Sequence, residues 1–84
     1  MGSAPRPRPD RLAAKLTQVR SKLGMTQDEL AVVLSDARWK VSRYDISKFE
    51  MGTREPGLIF MLRYARLARI NIEIFADDNL DLPK

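Results

Sequence analysis

The chain has 84 residues, 15 Lys and Arg against 11 Asp and Glu, a net charge of +4, and neither Cys nor His. This length suits one small domain of marginal stability, and without Cys or His, disulfides, thiolate metal sites, zinc chemistry and Ser-His catalysis are excluded, so no metal, cofactor or enzymatic activity is expected. No apolar run reaches the roughly 18 residues of a membrane span and no hydrophobic segment follows the first basic residues as in a secretory signal, so the expected compartment is the cytoplasm, with no membrane partner.

Residues 1–9, MGSAPRPRP, alternate Pro with Arg and predict an extended arm, either a free tail or a segment lying along phosphates or in a minor groove. The domain proper is expected over residues 10–76. Asp10 is the expected N-cap of a first helix. Its Leu12, Leu16, Val19 and Leu23 recur at helical spacing and Gly24 ends it. Arg11, Lys15, Arg20 and Lys22 are expected on its outer faces.

Two helix-start signatures follow. Thr26-Gln27-Asp28-Glu29 opens a second helix over about Gln27–Leu34, and Ser42-Arg43-Tyr44-Asp45 opens a third over residues 42–51, which Gly52 closes. Each has a Ser or Thr N-cap with an acid three residues later, which reaches back to the cap's own N–H. Between them lies a long turn, residues 35–41. Its Trp39, between Arg38 and Lys40, either stacks on a nucleic-acid backbone or packs back on the core. The second is the expectation.

The fourth helix follows Pro56, which pre-sets the dihedral of a first helical position. It carries two apolar stripes. Leu58, Met61, Leu62, Ala65 and Ala68 are expected to face the core. Phe60, Tyr64 and Leu67 form the other, either a dimer seam or the cradle of a fifth helix that Asn71 caps and that bears Ile72, Ile74 and Phe75. Residues 77–84 form an acidic tail. Residues 1–69 hold 14 Lys/Arg and 7 Asp/Glu, whereas residues 70–84 hold one Lys and four acids. A basic body with an acidic tail suits a polyanion partner held away from the C-terminus.

From Leu16 to Phe75 the chain resembles the Cro/phage-repressor type helix-turn-helix, the XRE-like family of bacterial and phage regulators. The matching stretches are VRSKLGMTQDELAVVL, VSRYDISKFEMGTREPGL and LRYARLARINIEIF. The resemblance implies an all-α, compact five-helix lambda-repressor-like DNA-binding domain with a helix-turn-helix. It also implies double-stranded DNA as partner, a homodimer, and a transcriptional regulator, expected to be a repressor. Two departures stand out. The turn over residues 35–41 exceeds the three or four residues of the usual motif. Arg69 stands where the family commonly has Gly at the end of the fourth helix, a left-handed position that disfavours other residues.

The expected DNA-binding residues are Gln27, Ser42, Arg43, Tyr44, Ser47, Lys48, Thr53 and Arg54. The resemblance places Gln27 at the position that anchors the second helix to a phosphate, where its amide can also brace the third. Arg43 and Tyr44 lie in the first turn of the third helix, the part that approaches base edges, with Ser47 and Lys48 on the same exposed face. Arg54 matches a position that often contacts phosphate, and Thr53 can add a hydroxyl bond. Glu50 is expected to brace the fold by pairing with Arg20. The expected dimer face is Phe60, Tyr64, Leu67 and Phe75. The rival readings are an antitoxin that represses its own operon and binds a toxin protein, and a protein-interaction module that has lost DNA binding.

Overall fold

The computed structural model describes residues 9–83. The arm expected over residues 1–9 therefore lies outside the described residues except for Pro9. The described residues are all-α, with five helices among them in the order α1 Leu12–Leu23, α2 Gln27–Leu34, α3 Arg43–Met51, α4 Leu58–Ala68 and α5 Glu73–Ala76. Helix α1 packs on α3 and α5, and α2 packs on α3 and α4. None of these helices is long and apolar enough to cross a membrane.

Both expected capping boxes form. Thr26 Oγ1 accepts from the Glu29 N–H at 3.1 Å, and Glu29 returns a bond to the Thr26 N–H at 3.0 Å. Ser42 and Asp45 do the same for α3, at 3.2 and 2.9 Å. Four donors that helix geometry leaves unpaired are thereby satisfied. Gly24 and Gly52 end α1 and α3 in the left-handed conformation, at φ of 69° and 76°. Asn71 Oδ1 accepts the Glu73 N–H at 3.1 Å just ahead of α5, whose N-cap position is Ile72 and has no side-chain cap bond.

The first cap differs from expectation. Asp10 does not cap α1 with its side chain; Arg11 occupies the N-cap position and makes no side-chain cap bond. The cap comes from the other end of the chain. The Asp78 carboxylate accepts the backbone N–H groups of Asp10 and Arg11, at 2.8 and 2.9 Å. These two bonds, ahead of the Lys15 and Arg11 charges, hold the Asp78 carboxyl below its ordinary range. Residues 77–83 thus run along α1 instead of standing off as a separate tail. Arg11 binds the Asp78 carbonyl and the Asp81 carboxylate, both at 2.7 Å. Lys22 Nζ donates to the Pro83 carbonyl, and Leu82 packs against the core.

Lys15 is the second correction. It is buried, not on an outer face. Its ammonium donates to the carbonyls of Ile74 and Asp77, at 2.7 and 2.9 Å, and so closes the C-terminal end of α5. Helix C-termini favour a cation, and its aliphatic stem covers apolar surface.

The third correction concerns α4. Phe60, Tyr64 and Ala65 are its buried residues, whereas Leu58 and Leu62 from the expected core stripe are exposed. Met61, Leu67 and Ala68 are partly buried against the core. The buried stripe therefore runs between the two stripes expected. Rings decide its direction. Phe49, Phe60, Tyr64 and Phe75 form one chain of contacts, with successive centroids 4.8, 5.5 and 5.3 Å apart. Aromatic rings bury the largest apolar area per residue and so outrank Leu58 and Leu62 for the interior. Tyr64 is fully buried and its hydroxyl donates to the Leu16 carbonyl at 2.7 Å. Phe60, Tyr64 and Phe75 are consequently core residues of one protomer and not a dimer seam, and Leu67 is partly buried beside them.

Helix α4 ends on Arg69 at φ 57° and ψ 42°, the only non-glycine residue with positive φ among the described residues. A Cβ there meets the following carbonyl, at a cost of about 1–2 kcal/mol. Glycine removes that strain but adds freedom to the unfolded chain, which offsets part of the gain. Arg69→Gly is expected to raise stability by about 0.5–1 kcal/mol, read as a higher urea midpoint with unchanged slope.

Candidate nucleic-acid interface

Helix α3 is the element around which the candidate residues gather. Ile46 and Phe49 bury one face of it. Helical spacing then places Arg43, Tyr44, Ser47, Lys48 and Met51 on the other side. Arg43, Tyr44, Lys48 and Met51 are exposed, and Ser47 is half-buried.

The pose of α3 is held from below by one carboxylate. Glu50 accepts two bonds from the Arg20 guanidinium of α1, at 2.7 and 2.9 Å, and one from the Gln27 amide of α2, at 3.2 Å. Arg20 also donates to the Met25 carbonyl at 3.1 Å. A fork of this kind fixes angle as well as distance. Three helices thus meet at Glu50, whose side chain is only 7% exposed. Burial pushes its carboxyl up, but the bonds from Arg20 and Gln27 outweigh this and hold it below the usual range. Gln27 is accordingly half-buried, with its amide donating to α3.

The exposed cations are held lightly. Arg43 lies 3.3 Å from both the Asp28 carboxylate and the Tyr44 hydroxyl, with its guanidinium 5.0 Å from the Tyr44 ring centre. Arg54 reaches the Asp45 carboxylate at 2.6 Å and lies over Phe49 at 4.8 Å. The Arg43–Asp28 pair is exposed on both sides, and exposed ion pairs contribute little to stability, so a phosphate can replace that carboxylate. Lys48 is exposed and, among the described residues, has no side-chain partner. The hydroxyls are engaged locally. Ser42 belongs to the capping box, Ser47 donates to the Met51 sulfur at 3.7 Å, and Thr53 donates to the Lys48 carbonyl at 3.2 Å.

Gln27, Ser42 and Thr53 are engaged within the fold, and the other five expected residues fall into two groups. Arg43, Tyr44, Ser47 and Lys48 share the outer stripe of α3. Arg54 sits on a second flank, in a cleft with Asp45 and Phe49. Lys40 was not among the expected residues, yet it lines both flanks. One cleft holds it with Arg43 and Tyr44, the other with Arg54. Its signal was present in the sequence. Arg38-Trp39-Lys40-Val41 alternates charged with apolar residues, the pattern of an extended segment with one dry and one wet side.

The connector itself, residues 35–42, is closed on itself. Asp36 accepts the N–H groups of Arg38 and Trp39, each at 2.8 Å, and donates its own N–H to the Trp39 carbonyl at 2.8 Å. Those two N–H bonds, followed by the Arg63 guanidinium, hold the Asp36 carboxyl below its ordinary range. Ser35 Oγ accepts the Val41 N–H at 3.0 Å. Arg63 of α4 binds Asp36 at 2.8 Å and the Leu34 carbonyl at 2.9 Å, and stacks 4.9 Å from the Trp39 ring. Trp39 packs back against the core, as expected.

Among the described residues no group of His, Cys, Asp and Glu could hold a metal ion. No protein-family model matches this chain, and no curated protein matches it.

Proposed function

We propose that this chain is a sequence-specific double-stranded DNA-binding regulator of the Cro/phage-repressor, XRE-like type, a cytoplasmic repressor that reads the major groove with α3. One observation carries the reading. The outer stripe of α3 presents Arg43, Tyr44, Ser47 and Lys48, while its inner face is locked by Ile46, Phe49 and the Glu50 fork. A helix held on one side and bearing cations and hydroxyls on the other is built to enter a groove.

In this mechanism phosphate contacts set the register and the stripe reads bases. Arg43 exchanges Asp28 for the O6 and N7 of guanine, and Arg54 exchanges Asp45 for a phosphate. The chain acts as a two-fold homodimer, which sets two copies of α3 about 34 Å apart or a multiple of that. Leu58, Ile59 and Leu62, the apolar side chains exposed on α4, are the ones a partner copy would cover. No observation favours the antitoxin reading. The unpaired Lys48 and lightly held Arg43 weigh against an interaction module that has lost DNA.

The test compares cognate and scrambled duplexes at one salt concentration. Loss of a bidentate base contact should weaken cognate binding by roughly tenfold to a hundredfold. Arg43→Ala is expected to do this while leaving scrambled binding nearly unchanged. Equal weakening of both would make Arg43 a phosphate contact, and no binding of either would remove the DNA reading.

A further inference from the structure

The connector over residues 35–42 carries two cations that the α3 stripe does not account for. Residues 38–41 alternate in exposure. Arg38 and Lys40 are exposed, while Trp39 and Val41 are half-buried and pack against the core. The turn at Asp36, the Ser35–Val41 bond and the Arg63 clamp hold this alternation in place. Both cations therefore sit on a rigid mount.

Neither cation is spent within the fold. Arg11, Arg20, Arg43, Arg54 and Arg63 each pair with a carboxylate, and Lys15 and Lys22 donate to carbonyls. Among the described residues Arg38 and Lys40 have no side-chain partner, a state they share with Lys48, Arg66 and Arg69, but they alone stand on the connector beside α3. The nearby acids are already taken, since Asp36 binds Arg63, Asp28 binds Arg43 and Asp45 binds Arg54. Lys40 also sits between the two flanks of α3, lining one cleft with Arg43 and Tyr44 and the other with Arg54.

A cation on a stiff loop meets an anion without ordering any backbone, and only its side-chain rotamers have to be fixed. Its neighbours on both flanks are the residues assigned above to duplex DNA. We infer that the connector is a second backbone-contacting element, in which Lys40 and Arg38 each take a phosphate of the duplex beside the groove that α3 enters. This rests on the proposed DNA reading. It adds a contact surface from a segment whose length departs from the usual motif, and it assigns that surface to the phosphodiester backbone and not to bases.

The experiment measures binding of the full chain to a duplex across a salt series. The wild type is compared with Lys40→Ala, Arg38→Ala, the double variant and Lys40→Arg. Each phosphate neutralised contributes about −0.9 to the slope of log K against log salt. Each alanine variant should therefore flatten the slope by about 1, and the double variant by about 2. Preference between cognate and scrambled duplexes should be unchanged, and Lys40→Arg should keep the wild-type slope. Thermal unfolding of each variant should match the wild type, because neither side chain has a partner to lose. A double variant that binds with the wild-type slope and affinity overturns the inference and leaves the α3 reading intact. A wild type with no measurable duplex binding overturns both.

Discussion

Phe60→Glu is expected to unfold the domain, not to split a dimer. The ring is 2% exposed and sits between Phe49 and Tyr64, at 4.8 and 5.5 Å. Deleting it as far as Cβ costs about 3–5 kcal/mol. A carboxylate in its place adds the penalty of burying an unpaired charge, a further few kcal/mol or more. A domain of this size has roughly 4–13 kcal/mol of stability in total. Far-ultraviolet circular dichroism at 25 °C should show the helices lost in Phe60→Glu, whereas Phe60→Leu should keep them at a lowered Tm. A folded Phe60→Glu chain with altered oligomeric state would return this ring to an interface.

Glu50→Ala should be the next most damaging change. It removes the acceptor of three bonds that join α1, α2 and α3, and leaves the Arg20 guanidinium, 21% exposed, without its counter-charge. Breaking one side of a largely buried pair costs about 3 kcal/mol, and for a domain of this size each kcal/mol moves Tm by about 4–8 °C. The same site predicts a pH dependence. The folded carboxyl lies below the unfolded value of roughly 4.3. Its contribution is therefore complete above that value and is lost as pH falls through the folded pKa. Glu50→Gln is less stable than wild type at neutral pH, and the gap between them should close on acidification below about pH 4. Chemical denaturation at several pH values gives both quantities. A gap that stays constant down to pH 2 would mean that Glu50 does not ionise differently in the two states.

The local signals along the chain were strong where a short-range rule applied. Both capping boxes and the left-handed Gly24 and Gly52 were legible because each depends on residues within a turn of one another. The pairing of Glu50 with Arg20 was expected and forms at 2.7 Å. Three features were not, and each depends on partners far apart in sequence. Asp78 caps a helix that begins almost seventy residues earlier. Lys15 is drawn inside by carbonyls at the end of α5. The face that α4 buries was chosen by Phe49 and Phe75, which helix periodicity does not see. Two apolar stripes on one helix state that it is covered broadly, not where the centre of the cover lies.

The candidate interface divides in the same way. The outer stripe of α3 follows from helix spacing once Ile46 and Phe49 are known to point inward. The place of Lys40 required the connector's own geometry. A loop is described by its turn chemistry, and here the Asp36 turn and the distant Arg63 clamp decide which side chains reach solvent.

Selection of bound duplexes from a random pool by the full chain decides whether α3 reads a DNA sequence. One motif is expected to be enriched, arranged as two inverted half-sites about one helical turn apart or a multiple of it, and its enrichment is expected to be lost with Arg43→Ala. A pool that emerges without any preferred sequence, at low salt as well as moderate salt, would contradict it.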